Sequence, residues 1–356
     1  FSNGLYMKAV EENGKFVSKF INYGEHIQDG IISSKYFDMP FEGCEETPTF
    51  DSIMNYQLWP EDVKDAFRVL HGRMMYPLGT LGENWQVAPY LVGEAGTGKS
   101  TICNITRQLY NPLDIGVVSN NHQQTFGLQN LYDKKIVIGP EIKKDWKLEQ
   151  SEFQCMISGD YMTINKKHEK SGEDIKWQAP MILAGNVFPD FVDNSEALTR
   201  RTIIFRFEKS IKHQDSDPLL DDKLNKEIPA IIHRHNNAYL GWVNLYKNKN
   251  IWEIISSYFM TQRKMLRIQT NGIASFLESG KFEFGEDFKI PFHMFHMDLI
   301  DHLTRNGFSK IRMNPENYNG IFSKYNIEVE DTLQDGKFIK GLRVKNQGNQ
   351  EILIEV

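Results

Sequence analysis

The chain predicts an α/β fold: a parallel sheet with helices on both faces, an N-terminal helical region and a C-terminal winged-helix-like domain. Three observations predict it. Apolar strand-like runs alternate with helical stretches across residues 80–210, the pattern of a parallel sheet covered by helices. A glycine-rich loop, Gly93-Glu94-Ala95-Gly96-Thr97-Gly98-Lys99-Ser100-Thr101, joins an apolar run to a helical one. The last eighty or so residues read helix, helix, hairpin.

In chain order, residues 1–47 carry no clean period and read as short elements and loops. Asp51–Gln57 is a short capped helix. Pro60–Met75 opens with proline in a first-turn position followed by acids, a helix start. Candidate strands are 86–92, 114–118, 135–139, 180–185 and 202–207. Leu219–Tyr246 is helical with an interruption at Pro229, and Ile251–Leu277 is one long helix or two. Its Arg263, Lys264 and Arg267 read as a solvated face. Phe292–Arg305 has helical spacing and stops at Asn306-Gly307, a C-cap signal. Asn314–Tyr325 forms a second helix. Ile327–Leu333 and Phe338–Val344 flank the hairpin turn Asp335-Gly336. The expected regions are 1–79, 80–213, 214–280 and 281–356.

The loop at 93–101 satisfies G-x-x-x-x-G-K-[ST] at every required position. Its glycines let the backbone turn so that N–H groups face phosphate oxygens. Lys99 puts a point charge beside the β- and γ-phosphates, and the Ser100 hydroxyl can ligate Mg²⁺. The helix that follows adds its positive N-terminal end. Lys135–Glu141 is an apolar strand that delivers one acid to the sheet edge. Pro140 stands where a paired-acid site has its first carboxylate, so Glu141 is the candidate water-activating base. Ala179–Asn186 ends another apolar run in an amide that can bond a γ-phosphate or attacking water. Arg200 and Arg201 precede the strand 202–207. In ring ATPases an arginine there reaches the neighbouring subunit's γ-phosphate. Between these, Gly159–Gly172 is a strand running into a basic tip, with Lys166, Lys167 and His168 placed to touch nucleic-acid phosphates. His293 and His296 lack a partner cluster at ligand spacing and read as ordinary helix residues.

Composition narrows the function classes. The net charge of −6 argues against a uniformly basic nucleic-acid coat and leaves room for a local basic channel. Cys44, Cys103 and Cys155 are scattered, so neither a disulfide framework nor a zinc ribbon is indicated, and a reducing intracellular compartment is expected. There is no apolar run long enough to span a membrane. The chain starts at Phe1, without a secretory signal, and is expected to be an ordered piece of something longer.

These motifs, in this order, resemble the superfamily 3 helicases of DNA viruses and plasmids. The closest look is to the helicase part of poxvirus-type helicase–primase proteins of large DNA viruses and some phages. The resemblance rests on Trp85-Gln86-Val87, the loop Gly93–Thr101, Gly159-Asp160, and Asn186 followed by Arg200-Arg201 before a Phe-rich strand; it spans residues 48–250. Ile164-Asn165-Lys166-Lys167-His168 is also similar to the DNA-contacting hairpin of papillomavirus replicative helicases, whose tip Lys-His pair Lys167 and His168 match. Arg201, rather than Arg200, matches the trans-acting finger.

The resemblance implies a P-loop NTPase fold of AAA+ type and an ATP- and Mg²⁺-dependent homo-hexamer. It implies 3′-to-5′ travel on single-stranded or forked DNA, at a viral replication site, in host cytoplasm or in a virion. A primase domain would lie upstream of Phe1. Two other readings fit the motifs: a P-loop small-molecule kinase, and a DNA-binding initiator that uses ATP only to assemble.

Overall fold

A computed structural model describes residues 1–25, 31, 33–118, 120, 127–165, 172–191, 193, 196–212, 214, 216–308, 316–332 and 336–345. Two compact units divide the chain. The first comprises Phe1–Asp190 and Arg200–Arg263; the second comprises the described parts of Phe191–Thr199 and Lys264–Val356.

The first unit opens with a hairpin where the sequence reading expects only short elements. β1 (Gly4–Glu12) pairs antiparallel with β2 (Lys15–Asn22), Glu12 facing Lys15. Asn13 and Gly14 make the two-residue turn, with φ of 51° and 75°. Asn-Gly is the preferred pair for such a turn because both central residues need positive φ. Two helices follow, α1 (Pro48–Tyr56) and α2 (Glu61–Arg73). The Glu227 carboxylate accepts from the free N–H groups of Thr49 and Phe50 at 2.8 and 2.9 Å, which satisfies the start of α1.

The sheet itself is five parallel strands. They are β3 (Ala88–Gly93), β4 (Ile115–Val117), β5 (Ile136–Ile142), β8 (Met181–Gly185) and β9 (Thr202–Phe207), in the spatial order β4-β5-β8-β3-β9. These are the five runs read from the sequence. Helix α3 (Lys99–Gln108) follows β3 and packs on β3, β5 and β8. After β5 come α4 (Gln150–Ser158) and a hairpin, β6 (Tyr161–Ile164) with β7 (Glu173–Lys176). Lys166, Lys167 and His168 fall between those strands and lie outside the described residues.

Helix α5 (Leu220–Tyr246) packs against α1, α2, α3 and β2. It runs through Pro229 rather than breaking there. Ile228, Ala230, Ile231 and Ile232 around the proline are buried, so packing holds the helix across the lost hydrogen bond. Helix α6 (Ser257–Thr270) begins in the first unit and ends in the second.

In the second unit, α7 (Gly272–Leu277), β10 (Phe282–Pro291), α8 (Phe292–Arg305), α9 (Glu316–Phe322), β11 (Glu328–Thr332) and β12 (Gly336–Val344) follow in order. The strands form an antiparallel sheet ordered β10-β12-β11. The sequence reading lacks β10. Ile273, Phe276, Phe295, Leu299, Tyr318, Ile339 and Leu342 close this unit's own core. The charges read as a solvated face are engaged within their units. The Arg263 guanidinium lies 4.5 Å from the Trp252 ring centre, Lys264 bonds Glu278 at 2.9 Å and Arg267 meets Glu196 at 3.4 Å. Helix spacing alone does not reveal acids and rings that lie elsewhere in the sequence.

Two buried polar layers fix the elements behind the sheet. Arg73 donates to Glu83 at 2.9 Å and to the carbonyls of Val87 and Trp85 at 3.0 and 2.7 Å, with both charges buried. This clamps the segment entering β3 onto α2. Removing either partner of such a pair leaves an uncompensated charge, at a cost of about 3–5 kcal/mol. Deeper in, His71 Nδ1 lies 2.8 Å from His235 Nδ1, and His71 Nε2 lies 3.1 Å from Thr106 Oγ1. The Thr106 hydroxyl donates to the Ile102 carbonyl at 2.8 Å, so it accepts from His71 Nε2–H. His71 Nδ1 then accepts from His235 Nδ1–H, which ties α5 through α2 to α3.

Both imidazoles are held neutral. Burial pulls His71 down to about 4, and His235 goes well below its ordinary value through burial and the nearby charges of Arg68 and Arg234. The folded chain therefore binds fewer protons than the unfolded chain once the pH falls below the ordinary histidine value of 6.5. Stability is full above that pH and is lost as pH falls from 6.5 toward 4. His235→Asn keeps an N–H donor for His71 and removes one titrating group. Urea denaturation between pH 7.5 and 5 should show the variant losing less stability than wild type, the difference in slope growing below pH 6.5 toward about 1.4 kcal/mol per pH unit. Equal slopes would remove the histidine pair as the cause.

Candidate phosphate-loop site

The loop occupies the place that general rules assign to ligand sites, the carboxyl end of a strand where the sheet's connections change direction. β3 is flanked by β8 and β9, but its own crossover leads to β4 at the far edge. Gly96 and Gly98 have φ of 73° and 98°, and Gly98 is the residue before the first turn of α3. Gly93 serves differently from the turn role its motif position suggests. A Cβ there would sit 2.0 Å from the Phe207 carbonyl oxygen of β9, so only glycine lets the two strands lie side by side.

Lys99 folds back over the loop. Its ammonium donates to the carbonyls of Gly93 and Glu94, each at 2.6 Å, and to Thr97 Oγ1 at 3.2 Å. Burial holds it below the usual lysine range. Thr97 Oγ1 donates to Glu94 O at 2.9 Å. Glu94, Ala95, Gly96 and Ser100 are exposed, while Thr97 is buried and Thr101 partly so. The Ser100 hydroxyl lies in the first turn of α3.

Register brings two more candidates to the same level. Val92 of β3 faces Gly185 of β8, and Gly185 faces Ile142 of β5. Asn186, just after Gly185, and Glu141, just before Ile142, therefore stand at the ends of adjacent strands, with adjacent strands about 4.8 Å apart. Both residues are exposed. The pairing of β5 with β8 slips between Gly139 and Ile142, so Pro140 and Glu141 form a bulge. β4 reaches only to Ile138 in its pairing with β5, so the missing N–H of Pro140 costs that ladder nothing. The Glu141 carbonyl accepts from the Asn120 amide at 2.9 Å, and Asn120 Oδ1 accepts from Lys143 N–H at 2.7 Å, which pins this strand end.

Arg201 is not brought to this edge. It precedes β9 at the sheet's amino-terminal end, where its carbonyl accepts from Ala88 N–H at 2.9 Å. Gly93 faces Phe207, so six strand residues, about 20 Å, separate Arg201 from its own loop. Arg201 is buried and donates through Nε to Ser158 Oγ at 2.7 Å, at the end of α4 and just before the β6–β7 hairpin. Arg200 is exposed, and its carbonyl accepts from Trp252 Nε1 at 2.7 Å. Both arginines line a polar cavity of about 510 Å³ with Lys247 and Lys249.

For a metal, no cluster of three or more His, Cys, Asp or Glu side chains exists among the described residues. The donor set that is present fits a hard cation carried in on phosphates, which needs only one or two protein oxygens. Ser100 and Glu141 are the candidates.

A sequence family of unknown function, DUF5906, matches residues 91–201, from β3 to Arg201. Among solved structures, the chain is similar to an apo structure of the NrS-1 C-terminal region (305–718). The two are 18% identical, covering 87% of this chain and 79% of that one, with a TM-score of 0.45. An A-form apo structure of the same region is 15% identical over 87% and 80%, with a TM-score of 0.44. A JCV helicase bound to an acetamide compound is 12% identical over 65% and 63%, with a TM-score of 0.32.

The two kinds of glycine make separable predictions. Gly93→Ala should lower unfolding free energy by about 3 kcal/mol or more, because backbone oxygen meets the new methyl group. Gly96→Ala should cost only about 1–2 kcal/mol, the left-handed backbone penalty, since the nearest atom to a Cβ there, the Ile211 carbonyl oxygen, is 3.9 Å away. Denaturant unfolding of both variants reads the difference; similar losses would refute the packing role given to Gly93.

Proposed function

We propose that this chain is the ATP-hydrolysing module of a viral DNA helicase, working as a ring of identical subunits, the homo-hexamer that the family resemblance implies. One observation carries the reading. Phosphate-loop, amide and acid candidates stand together at one end of the sheet, while the arginine candidates stand about 20 Å away at the other. Such arginines can complete a site only on a second copy, and head-to-tail contacts of that kind form a ring when the rotation from copy to copy closes.

In this reading Lys99 exchanges its loop carbonyls for the β- and γ-phosphate oxygens of ATP, and the loop N–H groups bind the rest. Bound Mg²⁺ supplies charge neutralisation on those oxygens, with Ser100 as its protein ligand. Glu141 takes a proton from the attacking water, and Asn186 orients that water or the γ-phosphate. An arginine from the next subunit stabilises the transferring phosphoryl group. The resemblance favours Arg201 for this role, and exposure favours Arg200. The Arg201–Ser158 bond supports a link from that arginine to the β6–β7 hairpin, whose Lys166, Lys167 and His168 are the proposed contacts to single-stranded DNA. The order α7-β10-α8-α9-β11-β12 with sheet order β10-β12-β11 supports reading the second unit as a winged helix.

Lys99→Ala should abolish ATP hydrolysis and leave the fold intact, and Glu141→Gln should bind ATP without turnover. A Glu141→Gln variant that hydrolyses at the wild-type rate would remove that residue as base. Arg201→Ala alone should be inactive, and mixing it with Lys99→Ala should restore part of the activity, because some interfaces then pair an intact loop with an intact arginine. Rescue by Arg200→Ala with Arg201→Ala silent would move the role to Arg200. No rescue in either mixture, with subunit exchange verified, would defeat action between copies. Turnover also separates this reading from an assembly switch, for which DNA-stimulated hydrolysis should be negligible.

Replacing Lys167 and His168 by Ala should spare basal hydrolysis and abolish DNA stimulation and unwinding. The salt dependence of single-strand affinity should fall by about 0.7 in log–log slope for the lysine. Unchanged affinity and unwinding would make that segment an ordinary solvated turn.

A further inference from the structure

The loop's shape is set from outside the nucleotide motifs. Gln57, at the end of α1, is 7% exposed. Its amide uses every donor and one acceptor site on backbone. Nε2 donates to the Thr97 carbonyl at 3.1 Å and to the Lys209 carbonyl at 2.8 Å, and Oε1 accepts from Lys209 N–H at 2.9 Å. Thr97 is in the phosphate loop. Lys209 lies just beyond β9, the strand preceded by Arg200 and Arg201.

Neighbouring contacts point the same way. Ile211 N–H donates to the Gly96 carbonyl at 2.8 Å, and the Tyr56 hydroxyl donates to the Ser210 carbonyl at 3.0 Å. Ile53 of α1 lies 3.4 Å from where a Cβ on Gly98 would be. The loop carbonyls of Gly96 and Thr97 are thus both held from behind. A peptide whose carbonyl is held outward presents its N–H side to the opposite face, which is the arrangement a phosphate cradle needs.

We infer that Gln57 is a positioning residue for nucleotide binding. It fixes the phosphate loop in its binding shape and joins the loop to the chain leaving β9. Only a glutamine-type amide of this length supplies two donors and an acceptor here. Glutamate keeps the acceptor for Lys209 N–H but sets a carboxylate against two carbonyl oxygens. The inference rests on the proposed ATP hydrolysis.

The test uses the full chain with a fluorescent ATP analogue and Mg²⁺, steady-state ATPase assays, and melting curves without nucleotide. Gln57→Glu should raise KM and the analogue's Kd about tenfold or more, the consequence of unmatched buried polar groups beside the ligand, with a smaller change in kcat. Tyr56→Phe, which removes only an exposed bond, should raise KM in the same direction by a smaller factor and leave the melting temperature unchanged. This second variant keeps the test informative if Gln57→Glu folds poorly.

A residue that merely holds the fold would lower the melting temperature and kcat through loss of active protein, with KM unchanged; that pattern in both variants overturns the inference. Wild-type KM in both overturns it as well. If wild type binds the analogue and hydrolyses ATP and Lys99→Ala does neither, the ATPase reading stands whatever happens at Gln57. If wild type fails to bind, both readings fall together.

Discussion

The close pairing of β3 with β9 is the constraint on which the candidate site depends. Six consecutive residue pairs, from Ala88 with Thr202 to Gly93 with Phe207, lock these strands level. Gly93 is where a side chain would collide with the partner's carbonyl. Its position fixes where the loop leaves the sheet, and so where Lys99 and the first turn of α3 stand. β8 on the other side then sets Asn186, and β5 beyond it sets Glu141, each by register alone. Parallel pairing makes every strand end at the same edge, so loops from different parts of the sequence converge there without any direct contact among the side chains involved.

Rigidity behind that edge comes from buried polar groups as well as from apolar packing. The Arg73 clamp on Glu83, Trp85 and Val87 fixes how the chain enters β3. The His235–His71–Thr106 chain fixes α3 from below. Apolar contacts alone tolerate sliding between helices, whereas directional bonds specify one arrangement when fully made. The cost is sensitivity: neutral imidazoles in an apolar setting oppose folding as soon as the solvent offers protons.

The sequence made the sheet legible because its signals are local. Each strand is a short apolar run, and the phosphate loop is contiguous. The N-terminal hairpin was also written locally, in Asn13-Gly14, but the alternation beside it is broken by a bulge between Met7 and Val10. A bulge likewise hides β10, whose pairing with β12 slips between Phe284 and Lys289. Pro140 looked like a missing acid in sequence. In the fold it sits in a bulge beyond the end of β4, where a proline is cheap. Gln57 had no sequence signal at all. Its role arises from contacts with Thr97 and Lys209, which no spacing rule relates to it.

The separation between the loop and the arginines also bears on how neighbouring sites communicate under the proposed function. β9 has Arg201 before its first residue, and the chain beyond its last residue is bonded to the phosphate loop through Gln57 and Ile211. A parallel strand paired along its whole length resists shear, since sliding by one residue would turn every buried side chain to the wrong face. With Arg201 serving the next copy's nucleotide, each strand β9 would join one subunit's loop to the other half of an adjacent site. Under the proposed function, the strand that completes one site is thus the strand whose far end is bonded to the other site's loop.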